Sequence, residues 1–154
     1  MNLLSPLATD SDAVRLIPLG GLGEIGMNMM AIEAAGKLVI IDCGLMFPEA
    51  HMLGIDLVIP DVASLAGRAD DILAILLTHG HEDHIGAIPY LLEALGNPPI
   101  YGTPLTLGLL QNKLREHQLA EKVALQPVTL RQELERASSQ GAPAVTQVSN
   151  LVWF

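Results

Sequence analysis

The stretch Thr78-His79-Gly80-His81-Glu82-Asp83-His84 gathers three of the chain's five histidines and two carboxylates within seven positions. Imidazole nitrogens and carboxylate oxygens are the donors that a borderline divalent ion such as zinc takes. His79 and His81 stand two apart and can converge on one ion. Asp83 and His84 are adjacent and can face a second, with Asp83 favoured by the positive end of a helix that starts there. Two ions roughly 3.5–4 Å apart would activate water and clamp the attacking and leaving oxygens of a displacement. Thr78 and Glu82 fit a role in orienting ligands or solvating the turn. A ligating imidazole needs an acceptor for its other ring N–H, and Asp42, closing an apolar strand, is the candidate. His51 and His117 are isolated and read as structural or exposed. Cys43 reads as a small buried residue, and Met27, Met29, Met30, Met46 and Met52 as packing.

Such a turn needs rigid elements on both sides. The run Ile72 to Leu77 is a buried strand feeding into it, and Asp83 to Leu95 reads as a helix leaving it, with Pro89 near its first turns. Upstream, Val14 to Leu19 is a first strand. Met29 to Ala35 and Lys37 to Cys43 flank Gly36 as a hairpin. Leu45 to Pro60 carries Pro48, Gly54 and Pro60 and reads as a long ordered loop, followed by a short helix over Val62 to Arg68. Downstream, Ile100-Tyr101 is a short strand. Thr103-Pro104 starts a helix, with a capping hydroxyl before a proline at the first helical position, and Leu107, Leu110 and Leu114 form its inner stripe. Val123 to Val128 is another strand. Leu130 to Ala137 reads as helical, Ser138 to Pro143 as a linker, and Ala144 to Phe154 shows no period. Alternating strands and helices predict an α/β class.

The chain has 154 residues, half of them hydrophobic, which suits one domain with a real core. Aromatics are only 3%, so Leu, Ile, Val, Ala and Met must build that core. A net charge of −9 argues against a broad surface gripping a phosphate backbone. The lone Cys43 excludes an internal disulfide and fits a reducing compartment. The first 13 residues form a polar tail without the features of a signal peptide, and no run of about 18 apolar residues predicts a membrane span.

A second motif competes with the first. Gly21-Leu22-Gly23-Glu24-Ile25-Gly26 matches G-x-G-x-x-G after a predicted strand, and Asp42 closes the next one. A dinucleotide site there would require a helix over Met27 to Ala35 with its N-terminus on a pyrophosphate, in a connection short for a crossover. A tight turn without ligand is the alternative.

Taken together, several stretches resemble the ribonuclease J family of metallo-β-lactamase-fold nucleases, β-CASP subgroup. They are Gly20 to Asn28, Ile41-Asp42-Cys43-Gly44, Phe47-Pro48-Glu49, Leu53-Gly54-Ile55-Asp56 with Val58 to Asp61, Thr78 to Leu92, Tyr101-Gly102 and Leu109 to Leu114. The resemblance runs from about Val14 to about Val128. It implies an αββα sandwich of which 14–130 would be a partial domain, between the tail 1–13 and a divergent segment 131–154. It implies a two-zinc centre in which His79 and His81 hold one ion and Asp83 and His84 the other, with Asp83 also a catalytic residue. It implies endonuclease and 5′-to-3′ exonuclease action on RNA in the cytoplasm, a tendency to homo-oligomerise, and no dinucleotide. A structural calcium held partly by main-chain oxygens at Leu53 and Ile55 follows from some relatives.

The family site also needs a further histidine, an aspartate that bridges the metals, and a late histidine. No histidine follows His117 and no aspartate follows Asp83. The expectation is therefore a truncated sandwich with an incomplete centre and impaired activity. The alternatives are another hydrolase of the same fold, or a non-catalytic module that associates with a longer relative.

Overall fold

The computed structural model describes residues 5–9 and 12–129, and the backbone of two further strands. Six strands form one sheet in chain order: β1 (Val14–Gly20), β2 (Met29–Ala34), β3 (Lys37–Ile41), β4 (Ile72–Leu76), β5 (Ile100–Gly102) and β6 (Leu125–Pro127). The first two pairings are antiparallel and the next three parallel.

One cross-strand row shows how the sheet buries its inner face. Ile17, Ala31, Ile40, Ile75, Ile100 and Leu125 are successive register partners across all six strands. The first five are buried. Against this row pack Ile88, Leu91, Leu92 and Leu95 from α2 (Ile88–Leu91) and the turn after it, and Leu107, Leu110 and Leu114 from α3 (Pro104–Glu116). The stripe expected on α3 is thus the buried one, and Thr103 caps the helix by accepting from Thr106 N–H at 3.3 Å. The adjacent row, Pro18, Met30, Ile41, Leu76, Tyr101 and Gln126, points to the other face. There Leu16 and Pro18 are exposed and Met30, Ile32, Val39 and Ile41 half-buried, while Ala74 and Leu76 on β4 are buried, so the β1–β3 part of this apolar face is open among the described residues.

The β2–β3 connection is a two-residue turn between paired Ala34 and Lys37, with φ of 48° at Ala35 and 74° at Gly36. Two positive φ values are what the right-handed twist of a hairpin requires. β2 runs antiparallel to β1, so Met29–Ala34 is a strand where a dinucleotide fold would need a helix; the G-x-G-x-x-G segment joins two strands of one sheet.

Three other expectations change. The helix expected over Asp83 to Leu95 is two short pieces, α1 (Glu82–Ile85) and α2, for a reason given below. The helix expected over Val62 to Arg68 is a single 3₁₀ turn at Ala63–Leu65. Within the segment read as helical over Leu130 to Ala137, Leu134–Ala137 is a strand, β7, paired antiparallel with β8 (Pro143–Thr146) in a separate ladder. Cross-strand pairing satisfies the backbone there in place of helical bonds. Residues 1–4, 10–11, 130–133, 138–142 and 147–154 lie outside the described residues, so much of the expected tail and divergent segment is untouched by this description.

Candidate metal centre

The centre lies where two parallel strands end side by side. Asp42 follows β3, and Leu77-Thr78 follows β4. Asp42 has φ of 59°, the left-handed conformation that Asp tolerates better than most residues. This sharp turn aims its carboxylate at three donors. Oδ1 accepts from Thr78 N–H at 2.8 Å, and Oδ2 accepts from Thr78 Oγ1 at 2.6 Å and from His84 Nδ1 at 2.8 Å.

These bonds select tautomers. With Nδ1–H of His84 given to Asp42, Nε2 carries the lone pair. The Thr78 hydroxyl spends its proton on Asp42, and its oxygen lies 3.1 Å from His79 Nδ1. It therefore accepts from that nitrogen and leaves His79 Nε2 as the donor atom. Burial, followed by the neighbouring His84 and His81, holds His79 below the ordinary imidazole pKa, which keeps it neutral near pH 7.

The four expected ligands come together in two pairs. His79 Nε2 lies 3.0 Å from His81 Nδ1, and His84 Nε2 lies 3.4 Å from Asp83 Oδ2. Two donors about 2.0–2.1 Å from a tetrahedral zinc stand roughly 3.3 Å apart, so each pair has the spacing to share an ion. The His79 and His84 rings are 3.9 Å apart between centroids, which sets the pairs side by side. Among the described residues, no three His, Cys, Asp or Glu side chains are arranged to hold one ion. The donor chemistry thus fits zinc in halves: the right atoms, with the right second partners, but two donors to each position.

The turn is held chiefly by main chain. Asn28 N–H donates to Asp83 O at 3.0 Å, Cys43 N–H to His84 O at 2.8 Å, and Leu45 N–H to Glu82 O at 3.1 Å. Ala87 N–H, which a continuous helix would give to Asp83 O, goes to Cys43 O at 3.0 Å. Pro89 has no N–H to give to Ile85. The helix breaks between α1 and α2 because its internal acceptors are used to bind neighbouring segments. Gly44 permits this approach, since a Cβ there would lie 1.6 Å from Asp83 O. From the other side, α3 backs the turn: Lys113 Nζ pairs with Glu82 Oε2 at 2.9 Å, and Gly80 leaves room for Leu109.

The remaining sequence candidates sort cleanly. His51 is exposed beside Glu49, and His117 packs edge-on against Tyr90. Cys43 is fully buried, and burial with the charge of Asp42 pushes its thiol well above the usual range, so it is no nucleophile. Leu53 and Ile55 sit exposed in the loop 45–60, which is closed by a bridge between Met46 and Val58. Sequence reasoning gave no role to Asn28 or Lys113. Asn28 follows the glycine-rich turn closely enough to have drawn notice; Lys113 reads from the sequence only as part of an exposed helix face, and its contact with Glu82 is not legible there.

Residues 22–139 match the metallo-beta-lactamase superfamily. This chain belongs to that superfamily. Its similar curated proteins include ribonuclease J2 of Bacillus subtilis, 49% identical over 77% of this chain and 21% of the relative. Ribonuclease J of Mycobacterium tuberculosis is 46% identical over 77% of this chain and 21% of the relative, and that of Helicobacter pylori 51% over 70% and 15%. The chain thus spans about a fifth or less of the length of these relatives. Among solved structures, a diphosphatase of the PhnP family matches with TM-score 0.47 and 23% identity over 72% of this chain and 40% of that one. The flavodiiron protein from Giardia intestinalis matches with TM-score 0.48 and 17% identity over 70% and 24%.

Proposed function

We propose that this chain carries the first ligand set of a two-zinc ribonuclease centre, His79 with His81 and Asp83 with His84, serving hydrolysis of RNA phosphodiesters as in ribonuclease J. The carrying observation is the pair of two-donor sets on one turn, each with a donor nitrogen exposed by a hydrogen bond to its other ring nitrogen. The relatives' names supply the substrate class. Zinc, when bound, activates water and polarises a phosphoryl oxygen. The chain's own residues hold and orient: Asp42 fixes His84, Thr78 fixes His79, and Asp83 presents a carboxylate from the start of α1. Endonuclease and 5′-to-3′ exonuclease action, a cytoplasmic setting and homo-oligomerisation belong to the same reading. A structural calcium at the Leu53 and Ile55 carbonyls is its most peripheral part.

With two donors per position and no bridging carboxylate among the described residues, the 154-residue polypeptide alone is expected to hold zinc weakly and to hydrolyse RNA poorly. Metal analysis of the purified chain, with an assay on 5′-monophosphorylated RNA, tests this. Two tightly held zinc ions and rapid turnover would refute the impairment; absence of any zinc binding would refute the centre. The open apolar sheet face supports a second reading, a non-catalytic module that associates with a longer relative. Stable binding to such a relative without metal-dependent cleavage would favour it. Among the described residues no helix is long and apolar enough to cross a membrane.

A further inference from the structure

The glycine-rich turn and Asn28 are left without a role once dinucleotide binding is set aside. They line one cleft with the centre: about 190 Å³, walled by Gly20, Gly21, Asn28, Ile41, Asp42 and His84 among others. The Asn28 carboxamide nitrogen lies 3.1 Å from Asp83 O, 3.2 Å from Asp83 Oδ2 and 3.2 Å from His84 Nε2. Turning the amide over would set an oxygen against a carbonyl and a carboxylate, so the nitrogen belongs on this side. Its backbone is fixed as well, N–H to Asp83 O at 3.0 Å and C=O from Gly44 N–H at 3.0 Å.

On the other side of the amide, a Cβ at Gly21 would lie 2.7 Å from Asn28 Oδ1, and one at Gly20 would lie 2.3 Å from Met27 O. Gly21 also has φ of 82°, and its N–H is held by Glu24 Oε1 at 3.1 Å. The turn is braced within itself and empty where the carboxamide must sit.

We propose that Asn28 is a positioning residue, whose carboxamide, seated against Gly21, holds Asp83 and His84 as a pair aimed at one metal ion. The nitrogen has two hydrogens and three acceptors around it. His84 Nε2 is the acceptor whose lone pair a metal would take, and the two hydrogens then suffice for Asp83 O and Oδ2. The carboxylate is thereby kept from rotating away from the ion position. The glycine-rich turn is a seat for this side chain, in place of the phosphate cradle its pattern suggests.

This inference rests on the metal reading above, and cobalt(II) separates the two. The full chain is titrated with cobalt(II) alone, following visible absorption and equilibrium dialysis. Asn28→Ala should weaken binding by about ten- to a hundredfold and change the cobalt spectrum, the range found when groups behind metal ligands are removed. Asn28→Asp is isosteric but has no N–H to give and sets an oxygen against Asp83 O and Oδ2, so it should weaken binding as well, and tighter binding would overturn the positioning role. Circular dichroism of each variant reports its folding, and the isosteric Asn28→Asp decides the matter if Asn28→Ala folds poorly. Both variants binding with wild-type affinity and spectrum would overturn the role of Asn28 and leave the centre standing. A wild-type chain that takes up no cobalt at millimolar metal would overturn the centre and the proposal with it.

Discussion

At the end of the sheet opposite the metal turn, Glu33 is fully buried in β2 among cations. Its carboxylate accepts from Arg68 Nη2 at 2.7 Å, Arg15 Nη1 at 2.9 Å and Leu7 N–H at 2.8 Å. Arg68, itself 5% exposed, also reaches Gly36 O at 3.1 Å and Asp71 at 3.3 Å. Lys37 extends the chain of charges to Asp71 at 2.9 Å. Replacing Glu33 by Gln keeps the shape and removes the charge, leaving the Arg68 guanidinium buried with a longer contact to Asp71 as its only anion among the described residues. Breaking a buried pair from one side costs about 3–5 kcal/mol; the surviving Asp71 and Gly36 contacts put this case near 3 kcal/mol. The double variant Glu33→Met with Arg68→Met removes both buried charges and should cost less, about 1 kcal/mol. Urea unfolding followed by circular dichroism measures both. Metal affinity of the folded chain should be unchanged in Glu33→Gln, which keeps the ties of Arg68 and Asp71 to Gly36 and Lys37, and should fall in the double variant, which removes those of Arg68. A single variant within about 0.5 kcal/mol of wild type, or a double variant costlier than the single, would refute the reasoning.

Two other outcomes follow, one from the bonds of Asp42 and one from this charge cluster. Asp42→Asn keeps a residue type that tolerates the left-handed φ but cannot accept from both Thr78 donors and His84 with a full carboxylate; zinc affinity should fall about ten- to a hundredfold by competition with a chromogenic chelator. Acid should unfold the chain through the charge cluster: burial raises Glu33 and Asp71, but hydrogen bonds from Arg68 and Leu7 to the first, and from Lys37 and Arg68 to the second, hold both below their ordinary 4.5 and 3.8. Depressed carboxyl pKa values give stability that is present above the ordinary values and lost as pH falls through the folded ones, so unfolding midpoints should drop steeply below about pH 4 and much less so in Glu33→Gln.

The strands were legible because their signals are local. Ile72 to Leu77 is a continuous apolar run, and Ala35-Gly36 lies between two such runs, so period and turn chemistry agree with the final sheet. The candidate ligands were legible because His79, His81, Asp83 and His84 fall within six positions on one turn and need no long-range information to be grouped. What the sequence hid was the traffic of main-chain bonds. Helical periodicity from Asp83 to Leu95 is real, yet the helix breaks because Cys43, Leu45 and Asn28 claim its N–H and C=O groups from about 40 to 55 positions away. Asn28 was hidden for the same reason: its three acceptors belong to residues 83 and 84. The glycine-rich turn misled because a seat for a side chain and a seat for a phosphate both need residues without Cβ atoms.

The parallel ladder between β3 and β4 connects these levels. Leu38 pairs with Ile72 but Val39 with Ala74, so β4 carries one extra residue, Leu73, at its start. Beyond that shift Ile41 stands beside Leu76, and Asp42 N–H reaches Leu76 O at 2.9 Å. The next residues on each strand are then Asp42 and, two further on, Thr78, close enough for the carboxylate to take both Thr78 donors. A ladder without the extra residue would set Asp42 one position out of step and aim its carboxylate along an apolar stretch ending at Leu77. The chemistry of the turn therefore depends on a register fixed at the far end of the strands, where Arg68 and Asp71 tie the entry of β4 to Gly36 and Lys37 at the entry of β3. The buried charges and the candidate ligands are two ends of one ladder: the first sets the alignment on which the second relies.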